Sequence, residues 1–177
     1  MVPAREFAAR LNEQIGNEFS AEHQYLACAI YYDRETLPEL ARFFYRQALE
    51  ERGHALMMVQ YLLDTGTDVE LGGVAASRSD FVDAVGPLAL ALEQEQRVSK
   101  QIAALAAVAR DAGDYTSEQF MQWFIKEQVE EVATMSSLLQ VAERSREDLA
   151  SLEEFVARER SAGEAADPTA PRAAGTG

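Results

Sequence analysis

The sequence predicts an all-α fold: a four-helix bundle with one long crossover between helices two and three, plus a short fifth C-terminal helix. Three observations carry this expectation. Four long segments repeat apolar residues at heptad spacing. The breaks after the first and third segments are short, whereas the break after the second is about seventeen residues long. Ala, Leu, Glu and Gln, all good helix formers, dominate residues 1–160.

The first segment runs from about Arg5 to Asp33. The following break, "DRETLPE", offers Thr36 as N-cap and Pro38 in the first turn of a second helix, from about Leu37 to Leu63. Residues 64–80, "DTGTDVELGGVAASRSD", hold three Gly and many small polar residues, so they read as loop, with at most a short strand at Val69–Leu71. The third segment covers about Phe81 to Arg110, with Gly86-Pro87 bending or restarting it early. "DAGD" closes it, and the fourth runs from about Tyr115 to Arg144. A shorter segment, Glu147 to Arg158, places Leu149, Leu152, Phe155 and Val156 on one side. Residues 1–160 therefore read as one domain. The Ala/Gly/Pro-rich tail, 161–177, is expected to be a disordered, solvated extension.

Loop length sets the topology. The short breaks make segments one and two, and three and four, antiparallel hairpins. A helix of about 27 residues is roughly 40 Å long, and about 17 extended residues reach roughly 56 Å. The middle loop can therefore run the whole bundle and set helices two and three parallel.

Composition excludes several classes. The net charge of −14 disfavours nucleic acid and anionic membrane surfaces. No apolar run approaches the roughly 18 residues of a membrane span, and "MVPAREFAARL" lacks the apolar core of a secretory signal. A single cysteine, Cys28, rules out an intramolecular disulfide framework and CxxC metal knuckles and points to a reducing compartment, the cytoplasm.

Heptad phase locates the chemistry. The first seam runs Leu11, Ile15, Glu18, Glu22, Tyr25, Ala29, and the second Phe44, Gln47, Glu51, His54, Met58, Tyr61. The third runs Leu88, Leu92, Glu95, Ser99, Ile102, and the fourth Met121, Phe124, Gln128, Glu131, Met135. Each is apolar at its ends and interrupted near its middle, by Glu18, by Glu51 with His54, by Glu95, and by Gln128 with Glu131. A carboxylate in an apolar core is costly unless paired or bound to a metal. A buried salt-bridge network would need Lys or Arg at facing seam positions, and none of the four seams has one. Cations from solution would supply the missing charge: four carboxylates balance two divalent ions. Oxygen ligands with one imidazole suit Fe(II) or Mn(II) better than a Cys-rich zinc site.

At these residues the sequence resembles the bacterial non-haem ferritins. The resemblance spans about residues 5–160 and includes "LNEQIGNEF", "FYRQALEERGHA" and "FMQWFIKEQVEEV". Related di-iron bundles carry Glu-x-x-His on two helices; here Glu51-x-x-His54 matches, while the fourth helix reads Gln128-x-x-Glu131. The resemblance implies that Glu18, Glu51 and His54 bind one iron and that Glu51 bridges to a second held by Glu95 and Glu131. Gln128 would stand beside the pair, and Tyr25 matches a tyrosine supporting the centre. Glu50, Glu127 and Glu130 match a third, weaker iron site. Arg52 occupies the place of a haem-ligating Met, which implies no haem. The implied activity is ferroxidase: Fe(II) oxidation by dioxygen, with Fe(III) stored as mineral in a shell of 24 subunits. Two other readings remain open, an iron-dependent oxidase acting on an organic substrate and a shell that buffers metal without catalysis.

The remaining polar features have simpler expectations. His23 lies about 140° around the helix from Glu18 and points away from the site. Glu22 shares the face of Glu18, at its edge or in support of it. Trp123 is packing, and Glu118 aligns with an acidic position lining the family's three-fold channels. Gly53 weakens its helix by about 1 kcal/mol relative to Ala, which would be explained by a neighbouring side chain approaching closely.

Overall fold

Arg5–Arg34 (α1), Pro38–Asp64 (α2), Gly86–Asp111 (α3) and Tyr115–Arg144 (α4) are the four long helices, and Leu149–Ala162 (α5) is the fifth. The computed structural model describes residues 2–162 and 167–175, leaving out the side chains of 159–162. α1 pairs with α2 and α3 with α4, α1 also packs against α3, and α5 lies on α2 and α4. Among the described residues there is no strand, so Val69–Leu71 is part of the crossover.

The crossover climbs α1. Asn12 Oδ1 accepts from the Glu70 amide at 2.8 Å, Ser20 Oγ from Ala75 at 3.2 Å and Gln24 Oε1 from Arg78 at 2.8 Å. Numbers rise together on both partners, so the loop runs parallel to α1 and back along α2. Polar side chains at helical spacing on α1 thereby satisfy backbone groups that have no ladder of their own. At the far end the Tyr32 hydroxyl donates to the Ala84 carbonyl at 2.7 Å. α3 then starts beside the start of α2, and the two run parallel as the loop length allows.

Two boundaries differ from expectation. Residues 81–85 are not helical, and α3 begins at Gly86 with Pro87 in its first turn. Proline is accommodated only where the helix starts, because its ring excludes a preceding helical turn. Asp83 Oδ1 accepts from the Val85 and Gly86 amides, both at 3.0 Å, and closes that turn. Thr36 is not a cap: Leu37 holds the N-cap position without a side-chain bond, and Thr36 takes a left-handed φ of 62°. The open amides of α2 are met from elsewhere. Glu153 on α5 accepts from Glu39 at 2.8 Å and from Leu40 at 2.9 Å, placing a carboxylate on the positive end of α2.

The tail also departs from a solvated extension where it is described. Asp167 Oδ2 accepts from the Trp123 indole at 3.1 Å and from Lys126 at 3.3 Å. The Ala174 amide donates to the Leu56 carbonyl at 3.0 Å, and Arg172 pairs with Asp64 at 3.3 Å. Residues 167–175 thus lie along α2 and α4, held by polar contacts that composition does not reveal. The rest of the expected disordered tail, 163–166 and 176–177, lies outside the described residues, and of 161–162 only the backbone, in α5, is described.

Two apolar clusters fill the bundle. One joins Tyr25, Tyr32, Phe44, Leu88 and Leu138 with Leu152 and Val156 of α5. The other joins Phe7, Leu11, Ile15, Met58, Ile102, Met121 and Phe124. Between them lies a buried polar layer holding Glu18, Glu51, His54, Glu95, Gln128 and Glu131. This is the mid-helix interruption expected on all four seams.

Gly53 does not serve a close approach: a Cβ built there meets nothing within 4 Å. Gly53→Ala should therefore stabilise the protein by about 1 kcal/mol, the full difference in helix propensity, read as a raised midpoint in chemical denaturation. Glu153→Ala should cost about 1–2 kcal/mol in the same assay by leaving the α2 amides without their carboxylate.

Candidate metal centre

Glu18 comes from α1, and Glu51 and His54 from adjacent turns of α2. Each offers one ligand atom, and the three atoms lie within 4.8 Å of one another. The i,i+3 spacing puts Glu51 and His54 on one face, with His54 Nδ1 3.4 Å from Glu51 Oε2. Glu95 from α3 and Glu131 from α4 complete the carboxylate layer, and all four acids are buried.

Neutral groups hold this layer in place. The Tyr25 hydroxyl donates to Glu95 Oε1. Gln128 Oε1 lies 2.9 Å from Ser99 Oγ, which turns the amide so that Nε2 faces Glu95 Oε2 at 3.4 Å. Gln47 Nε2 lies 3.5 Å from Glu131 Oε1 and also donates to Glu50. Gln14 Nε2 donates to Glu18 Oε1 at 2.8 Å. Ser99 and Gln47 were visible as polar seam positions without an assigned part. Gln14 was not singled out, although a buried amide one turn before a seam Glu is a usable signal.

Electrostatics at the layer are unbalanced. Burial pushes the Glu18 carboxyl well above the usual carboxylate range, and Glu51 beside it adds to the shift. Burial does the same to Glu51, with Glu95 as the next contributor, and to Glu131, again with Glu95. Glu95 is raised by burial and partly relieved by the Tyr25 hydrogen bond. The Tyr25 phenol is itself held well above its ordinary value, first by burial and then by Glu95. Among the described ion pairs, the one at these carboxylates is His54 with Glu51; no Lys or Arg pairs with them. Glu18 Oε2 is buried with no donor to it, and the Glu18 and Glu51 carboxyls lie within hydrogen-bonding reach of each other. Hard oxygen donors, one imidazole, excess negative charge and an unused carboxylate oxygen together fit divalent cations of the Fe(II) type.

The other expected residues are less gathered. Glu50 and Glu130 are exposed and Glu127 is half-buried. Glu130 turns toward Lys126 at 3.8 Å, and the three acids do not form a group of ligand atoms within the distance that unites Glu18, Glu51 and His54. Glu127 still feels the charges of Glu130 and Glu50, which add to burial in raising its carboxyl. His23 is exposed, as its angle from Glu18 requires. Glu22 sits at the edge and pairs with Arg52 at 3.3 Å. Trp123 packs edge-on to the His54 ring, centroids 5.7 Å apart, and Glu118 pairs with Arg110 at 2.7 Å.

The raised carboxyls make a prediction with a definite sign. In the fold they keep protons above the pH, about 4.3, at which a free glutamate loses its own. Above that point the unfolded chain binds fewer protons than the metal-free fold, so stability falls as pH rises until the folded carboxyls ionise. Glu51→Gln removes the central charge. It should raise the melting midpoint of the metal-free protein at neutral pH and flatten its decline as pH rises above the free glutamate value, measured by thermal denaturation with chelator present.

Comparison with known proteins agrees with this geometry. Ferritin BfrB of Mycolicibacterium smegmatis is 55% identical over 170 residues, covering 96% of this chain and 93% of that protein. Ferritin BfrB of Mycobacterium tuberculosis is 53% identical over 173 residues, covering 98% and 95%. A bacterial non-heme ferritin of Staphylococcus aureus is 36% identical over 138 residues, covering 78% and 83%. The open-pore ferritin of the archaeon Archaeoglobus fulgidus superposes with a TM-score of 0.83 at 28% identity, covering 86% of this chain and 95% of that one. Residues 8–145 match the Ferritin family, described as a ferritin-like domain. The chain belongs to the ferritin family.

Proposed function

We propose that the protein stores and detoxifies iron, oxidising Fe(II) with dioxygen at the centre within each subunit and keeping Fe(III) as mineral inside a hollow homo-oligomer of 24 chains. The observation that carries this reading is the buried Glu18–Glu51–His54 group, backed by Glu95 and Glu131, with no Lys or Arg among the described ion pairs to balance its charge. Fe(II) is the substrate. Glu18 and His54 hold one ion, Glu95 and Glu131 the other, and Glu51, central to the four acids, bridges them. Two Fe(II) would together give two electrons to one dioxygen, which with two protons from water leaves as hydrogen peroxide, and both ions become Fe(III). The chain's part is positioning and charge matching. Tyr25 and Gln128 keep Glu95 oriented, and the two apolar clusters exclude bulk water from either end.

In this reading residues 1–160 are one di-iron domain, and Glu50, Glu127 and Glu130 form a third, outer site that gathers around a cation as it leaves. Arg52, exposed and paired with Glu22, gives no haem ligand at its position. No helix among the described residues is long and apolar enough to cross a membrane, and we assign the protein to the cytoplasm.

Glu18→Ala and His54→Ala should each slow Fe(II) oxidation by at least about 100-fold, as loss of a ligand exceeds loss of a group supporting one, followed by oxygen consumption under excess Fe(II). Wild-type rates in both variants would remove the assigned centre. The native particle should have 24 times the 19.6 kDa chain mass and retain iron through size exclusion. A monomer or dimer turning over an organic substrate would favour an oxidase, and Fe(II) binding without oxygen consumption a metal buffer.

A further inference from the structure

Gln14 sits one turn before Glu18 on α1 and is 2% exposed. Its Nε2 donates to Glu18 Oε1 at 2.8 Å, and its Oε1 accepts from Asn17 Nδ2 at 3.1 Å. The second bond decides the first. With its oxygen turned to a donor on Asn17, the Gln14 amide can present only N–H to Glu18. Glu18 then has Oε1 held by a neutral donor, while Oε2 is buried with no donor and the carboxyl otherwise meets Glu51, the neighbouring acid of the centre.

The terminal torsion of a free glutamate is broad and roughly two-fold, so either oxygen would face the centre by chance. We infer that Gln14, locked by Asn17, is a positioning residue that sets Glu18 as a one-oxygen ligand: Oε1 is kept by the protein and Oε2 is left for Fe(II). The inference rests on the reading of Glu18 as a ligand given above. Groups that orient ligands in this way commonly change metal affinity by about 10–100-fold when removed. Asn17 is reached from outside. It lines a cleft of about 270 Å³ together with Ser20, Gln24, Arg97 and Gln101. Truncating it therefore opens toward solvent and leaves the apolar clusters intact.

The test uses Co(II), which binds without turnover and whose visible absorption reports donor number and geometry. Full-length metal-free protein is titrated with Co(II) as wild type, Gln14→Leu, Asn17→Ala and Glu18→Ala, with folding followed by circular dichroism. Gln14→Leu should weaken Co(II) binding by about 10–100-fold and alter the spectrum, as Glu18 becomes free to chelate or swing away. Asn17→Ala should shift both in the same direction by less, because it frees the Gln14 amide to turn over. A folded Gln14→Leu protein with wild-type affinity and spectrum overturns the inference. If Gln14→Leu does not fold, Asn17→Ala decides, and wild-type behaviour there overturns it equally. Glu18→Ala separates the two levels. If it weakens Co(II) binding while the Gln14 and Asn17 variants do not, only the positioning role fails. If it too binds as wild type, the ligand assignment fails with it.

Discussion

Four carboxylates confined to one layer inside a helical bundle are the constraint on which the rest of this structure depends. Desolvating an ion costs several kcal/mol even after relaxation. Here each acid faces others, and among the described ion pairs no Lys or Arg pairs with it. Burial raises every one of these carboxyls, which favours the protonated form in the metal-free fold. A bound cation reverses that logic, since it favours the ionised form and releases the protons. The layer is thus destabilising alone and complementary to divalent metal, a common conflict between stability and function.

The bundle tolerates the layer because it is bounded on both sides. Separate apolar clusters lie toward each end, so the helices are held together without help from the middle. Within the layer, neutral amides and hydroxyls do the orienting. Tyr25 and Gln128 face Glu95, Gln14 faces Glu18, and Gln47 lies between Glu131 and Glu50. Neutral donors steady a carboxylate without neutralising it. A lysine in any of these places would satisfy the acid and remove the attraction for a cation.

Elements far from the centre serve the same arrangement. The crossover is tied to α1 by Asn12, Ser20 and Gln24, which makes α2 and α3 parallel and brings Glu51 and Glu95 to one depth. α5 contributes Leu152 and Val156 to one cluster and lends Glu153 to the start of α2. Residues 167–175 lie along α2 and α4, where Asp167 engages Trp123, itself packed on His54. The periphery therefore reaches the centre through two contacts.

Periodic information was legible in the sequence, because an α-helix repeats every 3.6 residues and records its buried face locally. Heptad phase determined four helices and the depth of Glu18, Glu51, His54, Glu95, Gln128 and Glu131, and loop length their hairpin pairing and the parallel α2 and α3. Tertiary structure alone decided what depends on partners distant along the chain. The Glu153 carboxylate takes the amides that Thr36 was expected to serve, and the Asp167 contacts lay the tail on the bundle. The pairing of Glu130 with Lys126, and the turn of the Gln14 amide toward Glu18, are likewise set by what stands opposite. Such contacts are aperiodic and join residues that no local repeat connects, so they become visible only when the helices have packed.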